Sequence, residues 1–300
     1  MDAANAIKSK RIIELTSNEA GIVFRKDKTF LLDWMQVYME AQESAGKKDG
    51  SQIKIAMRIL KDYAGEMVTL DQIDGDFCRG YITYLLTEYH PKGKDISNYT
   101  LHNYYRALNG ALNSAVRKRK MKANPFNELE KSEKIRKPES MRSYMTIEEV
   151  QALIDTPMPH EEYEIVKCAY LFSCFCGLRI SDIIKLKWND VFVDRGQYRL
   201  AVSMKKTKEP IYLPLSPEAL KWMPERGGKS SEDNVFDLPS ANTIRMQLKP
   251  WAKAAGISKR FSYHTSRHTF ATMMLTLGAD LYTVSKLLGH ADVKMTQVYA

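Results

Sequence analysis

Tyr299 stands next to last in the chain, at the end of the stretch HTSRHTFATMMLTLGADLYTVSKLLGHADVKMTQVYA. His264, Arg267, His268 and His290 share that stretch. One demanding use of such a set is attack by the phenol oxygen on a phosphodiester. Negative charge builds on the nonbridging oxygens in the transition state, and two arginines can clamp them with bidentate, charge-assisted bonds. The leaving 5′ oxygen must receive a proton, which asks for a general acid, and a mobile lysine can supply it. A free phenol ionises only near about pH 10, so it needs activation, and histidines can deprotonate it or bond the phosphate. No step demands a metal or another cofactor. The covalent phosphotyrosine stores the ester energy, so rejoining needs no ATP.

Each residue also has a plainer use. His264 and Arg267 lie three apart, so on a helix they share a face. Thr265 or Ser266 is expected to cap that helix and leave backbone N–H groups that favour an anion. His268 is expected to pack against the core. His290 follows a glycine cap in LLGH, and ADVKMTQVY has room for a turn and a short helix that fold Tyr299 back towards it. Arg179, in GLRISD, lies between Leu178 and Ile180. A guanidinium beside a core must find an anion or a carboxylate, and Asp182 is near enough to orient it. Lys205, Lys206 and Lys208, in MKKTKEP, are either solvated or reach into a groove.

The elements that must position these residues follow from hydrophobic spacing. KTFLLDWMQVYMEAQE has Phe30, Leu31, Trp34, Val37 and Tyr38 at helical intervals, and SQIKIAMRILKDYA repeats the pattern. DGDFCRGYITYLLTEY and SNYTLHNYYRALNGALNSAVRKRK complete a four-helix bundle over 28–122. Its last helix ends in RKRKMK, where Arg117, Lys118, Arg119, Lys120 and Lys122 suit either a solvated helix end or contact with a phosphate backbone. Residues 123–142 are polar, carry Pro125 and Pro138, and read as a linker. The second domain, 143–300, opens with a capping box from Thr146 to Glu149. A largely apolar helix follows in EEYEIVKCAYLFSCFC. Tyr198, Leu200 and Val202 alternate, as do Ile211 and Leu213, which predicts a β-hairpin with a lysine-rich tip. Ser216 and Pro217 start another helix. The fold class is mainly α with one small antiparallel sheet.

Composition narrows the partners. The 300 residues carry 45 Lys and Arg against 36 Asp and Glu, a net charge of +9 that suits nucleic acid. The apolar fraction of 44% supports real cores. No stretch reaches bilayer length and no secretory signal is visible, so a cytoplasmic location is expected. Cys78, Cys168, Cys174 and Cys176 lack ligand spacing and read as free, buried thiols.

In GLRISDIIKLKW, KTKEPIYLPL, HTSRHTFAT and LLGHADVKMTQVYA, their order and their spacing, the chain resembles the tyrosine recombinases, also called phage-type integrases. The detail is similar to integrases of Bacteroides-type mobile elements. The resemblance covers roughly residues 28–300. It implies an amino-terminal helical, SAM-like core-binding domain and a carboxy-terminal catalytic domain that clamp duplex DNA. It implies catalytic roles for Arg179, Lys206, His264, Arg267, His290 and Tyr299, with Asp182 supporting the first arginine. Lys206 is selected over its neighbours by its interval to Pro214. The implied activity is site-specific cleavage and rejoining of DNA through a 3′-phosphotyrosyl intermediate, with self-association on DNA as a tetramer. Two alternatives share many of these residues: a topoisomerase of the same chemistry, and a DNA-binding regulatory factor that does not cleave. Residues 1–27 are too short for the further arm-binding domain of many relatives and read as a remnant of a connection to one. The family typically continues past the tyrosine into an exchanged segment. Where that segment is missing, weaker self-association is expected.

Overall fold

The computed structural model describes residues 28–138, 142–203 and 210–300. The chain divides into two compact units, Met1–Glu139 and Ser140–Ala300.

The first unit is built on four helices: α1 (Leu31–Ser44), α2 (Gly50–Ala64), α3 (Gly75–Thr87) and α4 (Asn98–Arg117). Side-chain caps fix two of the starts. Asp74 accepts from the Phe77 N–H ahead of α3, and Ser97 accepts from the Thr100 N–H ahead of α4. Leu101, Tyr104, Leu108, Leu112 and Ala115 recur at three- and four-residue steps along α4 and are all buried. The Trp34 indole N–H donates to the Ala111 carbonyl at 2.8 Å, tying α1 to α4. Val37, expected on the apolar stripe, is instead 53% exposed, while Leu31, Trp34, Met35 and Met39 form the buried face.

Two expectations for this unit change. The helix ends at Arg117, and Arg119 takes a left-handed backbone conformation (φ 57°), so Lys118–Lys122 form a turn beyond the helix. All five cations of the run are exposed. The stretch read as a linker is also largely structured. Phe126, Leu129 and Ile135 are buried in the core of this unit, and Phe126 meets Tyr105 edge-on at 5.0 Å. Asn124 donates to the Asn109 and Asn113 side-chain carbonyls at 2.7 and 2.8 Å. Proline and polarity suggested a free connection, but a few apolar side chains suffice to dock it.

The second unit packs its helices around α6 (Glu164–Cys176), nine of whose residues are buried. Ahead of it lies α5 (Ile147–Asp155), with the Thr146–Glu149 capping box formed in both directions. The short α7 (Ile180–Ile183) follows α6. Then comes a three-stranded antiparallel sheet in the order β1 (Val191–Asp194), β2 (Gln197–Ser203), β3 (Pro210–Pro214). Leu200 pairs with Leu213 and Val202 with Ile211, the register that the alternation implies. Strand β1 was not expected. Arg195 and Gly196 both have positive φ, at 50° and 80°, and form the two-residue turn that pairs β1 with β2. Helices α8 (Pro217–Lys221), α9 (Ala241–Ala254), α10 (Tyr263–Thr276) and α11 (Leu281–Leu287) follow. Two short 3₁₀ turns, Val293–Met295 and Gln297–Tyr299, carry the chain to Tyr299. Among the described residues no helix is long and apolar enough to cross a membrane.

Candidate functional site

Helix α10 organises the site. Its residues Thr265, Ser266, Arg267, His268 and Thr269 are all buried, an unusual run of polar groups in a core. Each hydroxyl is accommodated. Thr265 donates to the Ser262 carbonyl at 2.5 Å and pairs with the Tyr170 hydroxyl at 2.8 Å. Ser266 donates to the Tyr263 carbonyl, and the Thr269 hydroxyl accepts the Met145 N–H at 2.9 Å. Thr265 and Ser266 therefore do not cap the helix. It begins at Tyr263 after Ser262, which makes no side-chain cap bond.

Arg267 is 2% exposed, and its guanidinium is anchored from two directions. Nη1 donates to the Gly177 carbonyl at 2.7 Å, and Nη2 donates to the Leu288 carbonyl. Gly177 ends α6 in the left-handed conformation (φ 74°), and an added Cβ would lie 2.5 Å from Phe270 Cδ1. Only glycine fits there, and its carbonyl then meets the arginine. Burial lowers the Arg267 pKa to about 10, helped by the nearby Arg179 and opposed by Tyr299 and Asp182. It stays cationic at neutral pH.

Arg179 is half-buried at the junction of α6 and α7. Asp182, one turn on, accepts from the Ser181 hydroxyl at 3.2 Å, and its other carboxylate oxygen is buried with no hydrogen-bond partner among the described residues. His290 follows α11 through a glycine turn. Gly289 has φ 59° and its N–H reaches the Lys286 carbonyl, while the His290 N–H reaches Ser285. The Nδ1 of His290 pairs with the Thr296 hydroxyl at 2.8 Å. Thr296 is fully buried, and its carbonyl accepts the Tyr299 N–H, so one side chain links the histidine to the turn that carries the tyrosine.

His264, Arg267, His290 and Tyr299 thus converge with Arg179 and Asp182 in one region of the second unit. The cations concentrate charge there. Burial lowers the His290 pKa to about 4, assisted by Arg267, Arg179, Arg142 and His264. His264 is lowered as well, by desolvation first and then by Arg267, Arg179 and Arg142. Three guanidinium groups around two neutral imidazoles make a place for an anion. Lys206 lies outside the described residues. The cations of 117–122 belong to the first unit. Among the described residues no cluster of His, Cys, Asp or Glu is arranged to hold a metal.

Two contacts of Tyr299 were not expected. Its hydroxyl meets Nδ1 of His268 at 2.6 Å, and Nη1 of Arg142 donates to it at 2.8 Å. The Arg142 guanidinium also lies 5.2 Å from the centre of the tyrosine ring. His268 is buried, as expected, but its ring serves the tyrosine as well as the core. The spacing held a signal for it, since His264 and His268 lie four apart and share a helix face. Their rings meet at 4.5 Å, edge to face. Arg142 carried no local signal: it sits in a polar stretch far along the chain from Tyr299.

Comparison with known proteins places both units. Residues 143–300 match the model of the Phage integrase family, and residues 30–136 match that of the Phage integrase SAM-like domain. The tyrosine recombinase XerD of Vibrio vulnificus strain YJ016 is 33% identical over 177 residues, 54% of this chain and 57% of the relative. The chain therefore spans a little over half the length of that relative. A tyrosine recombinase of Pseudothermotoga lettingae is 30% identical over 229 residues, covering 69% of this chain and 78% of the relative. Among solved structures, the Tn1549 transposon integrase in complex with circular intermediate DNA superposes with a TM-score of 0.71 at 17% identity, covering 90% of this chain and 94% of that one. A lambda integrase tetramer bound to a Holliday junction gives 0.68 at 21% identity, covering 91% and 78%. At these identities the likeness is one of fold.

Proposed function

The chain belongs to the phage integrase family, and from that premise we propose that it is a site-specific recombinase that cleaves and rejoins duplex DNA through Tyr299. The observation that carries this proposal is the convergence of Arg179, His264, Arg267, His290 and Tyr299, drawn from segments far apart in the chain, in one cationic cluster. Arg179 and Arg267 hold the nonbridging oxygens of the scissile phosphate. His264 and His290 bond the phosphate from the same cluster, and Asp182 supports Arg179. The Tyr299 oxygen attacks phosphorus and forms a 3′-phosphotyrosyl bond, and the 5′ oxygen leaves with a proton from Lys206. Attack by a 5′ hydroxyl reverses the step and joins the strands.

Duplex DNA is the partner, engaged in part by Arg117, Lys118, Arg119, Lys120 and Lys122 through the phosphate backbone. Self-association on DNA follows the solved tetramer of the lambda integrase. A cytoplasmic setting and service to a mobile element of the Bacteroides type complete the proposal.

The test is a nicked duplex that traps covalent complexes, made from whatever short inverted repeat is found by sequencing beside the gene. The wild-type protein is expected to form a phosphotyrosyl adduct that Tyr299→Phe abolishes. A gel shift with no adduct in either protein would favour the non-cleaving factor. Relaxation of supercoiled plasmid without any required sequence would favour topoisomerase activity.

A further inference from the structure

We propose that His268 is the general base that takes the phenol proton of Tyr299, while Arg142 donates to the same oxygen and stabilises the phenolate that forms. This deepens the recombinase reading and rests on it.

The chemistry of Arg142 fixes the direction of one bond, and the proposed role of His268 sets the other. Arg142 can only donate, so the tyrosine oxygen accepts from its Nη1 at 2.8 Å. The phenol hydrogen then needs an acceptor, and His268 Nδ1 stands 2.6 Å from the oxygen. For that bond Nδ1 must be unprotonated, with the ring proton on Nε2. The surroundings keep the ring neutral, so one of its two nitrogens is free to accept. Burial lowers the His268 pKa to about 4, and the charges of His264, Arg142, Arg267 and His290 act in the same sense. These groups, with Tyr299 itself, are the titratable and charged neighbours that face the ring. The other histidines are placed differently. His290 spends its Nδ1 on Thr296, and His264 packs edge-on against the His268 ring.

The step balances. A lone pair of Tyr299 Oη forms the bond to phosphorus as its O–H bond breaks and the proton passes to Nδ1. The P–O5′ bond breaks at the same time, and the leaving oxygen takes its proton from the general acid. On rejoining, the His268 proton returns to the departing phenolate. The arrangement also ties basicity to substrate. An imidazole held neutral by burial, with neighbouring cations acting in the same sense, is a weak base, and a DNA phosphate beside it would offset the part due to the cations. His268 gains proton affinity when there is a bond to attack.

The decisive experiment is single-turnover cleavage of the nicked duplex on which the wild-type protein forms its adduct, prepared with either an ordinary phosphate or a bridging 5′ sulfur at the scissile position. The sulfur leaves without help from an acid, so it repairs a lost general acid and leaves a lost general base unrepaired. His268→Ala is expected to slow cleavage roughly 10²–10⁴-fold on both substrates, with unchanged gel-shift affinity and partial rescue by added imidazole. Arg142→Ala is expected to slow both as well, and Arg142→Lys less so. Wild-type rates in His268→Ala, or full repair by the sulfur substrate, would overturn the assignment. An adduct that survives Tyr299→Phe would sink the parent proposal instead. A second measurement needs neither DNA nor a His268 variant. In ¹⁵N-histidine spectra of the intact protein, His268 is expected as the Nε2–H tautomer, with an Nδ1 resonance that moves in Tyr299→Phe. A protonated Nδ1 at neutral pH, or no response to that substitution, would refute the proposal.

Discussion

The two units handle buried polarity in opposite ways. Among the described residues the first unit buries Thr69 and Asn124, both hydrogen-bonded, and otherwise little polarity beyond tyrosines such as Tyr81, whose hydroxyl is buried without a partner. The second buries Lys167, Ser173, Thr265, Ser266, Arg267, His268, Thr269, Ser285 and Thr296. Buried polar groups cost stability unless every bond is made. The first unit uses its helices to fold and keeps its charge outside, as in the exposed run 117–122. The second has a polar core in which Arg267 is anchored by two backbone carbonyls and His268 meets the Tyr299 hydroxyl. On the proposed function, the polar core is the one that would carry the chemistry.

That contrast can be tested at several scales. Arg179→Ala should reduce single-turnover cleavage by roughly 10²–10³-fold while leaving DNA affinity nearly intact, because the proposed role places its work in the transition state. Equal losses of cleavage and binding, measured by adduct formation and gel shift, would remove it from the site. Glycine substitutions probe the packing. Gly177→Ala meets both a left-handed backbone and the Phe270 ring, and should cost about 2–4 kcal/mol in denaturant unfolding. Gly46→Ala, in the first unit, has the same sign of φ but open space around it, and should cost only about 1 kcal/mol. Similar costs at both positions would show that the second core is no more tightly constrained than the first.

Acid should separate the units further. The His268 and His290 pKa values are lowered from 6.5 to about 4, so the unfolded chain protonates these rings before the folded one does. The unfolded state then binds more protons, and stability falls as pH drops from about 6.5 to about 4. Thermal melts are expected to lose several degrees over that window, less so in His268→Gln and His290→Gln. A flat profile would mean that the rings are not held neutral. The smallest effect belongs to the surface. Neutralising the five cations of 117–122 should make the salt dependence of DNA affinity shallower, by up to about 0.9 in slope for each phosphate that the run neutralises in the wild type. An unchanged slope would return the run to a solvated turn.

Local patterns carried much of this architecture. Periodic apolar residues marked the helices, Thr146 and Glu149 marked a helix start, and the alternation around Leu200 and Leu213 set a strand register. The turn at Arg195–Gly196 was missed because an arginine in a positive-φ position has little propensity of its own, and sheet pairing imposed it. The docking of Phe126 and Ile135 was missed because composition favoured a linker, although burial of a few large side chains outweighs composition. At the site, His264 and Arg267 are legible as a helical pair, whereas His268, four residues from His264, reads equally well as a core residue.

By itself the sequence determined which residue types were available, which of them shared a helix face, and where some of the helices began, as at Thr146 and Ser216. These are consequences of short-range geometry, which depends on neighbours a few positions apart. Only the tertiary structure decided that Arg142 and His268 meet at the oxygen of Tyr299, and that the Gly177 and Leu288 carbonyls hold Arg267. Those hydrogen bonds span separations from 21 to 157 residues. They arise because a shared core brings distant segments together, and no local preference along the chain encodes which polar groups will then face one another.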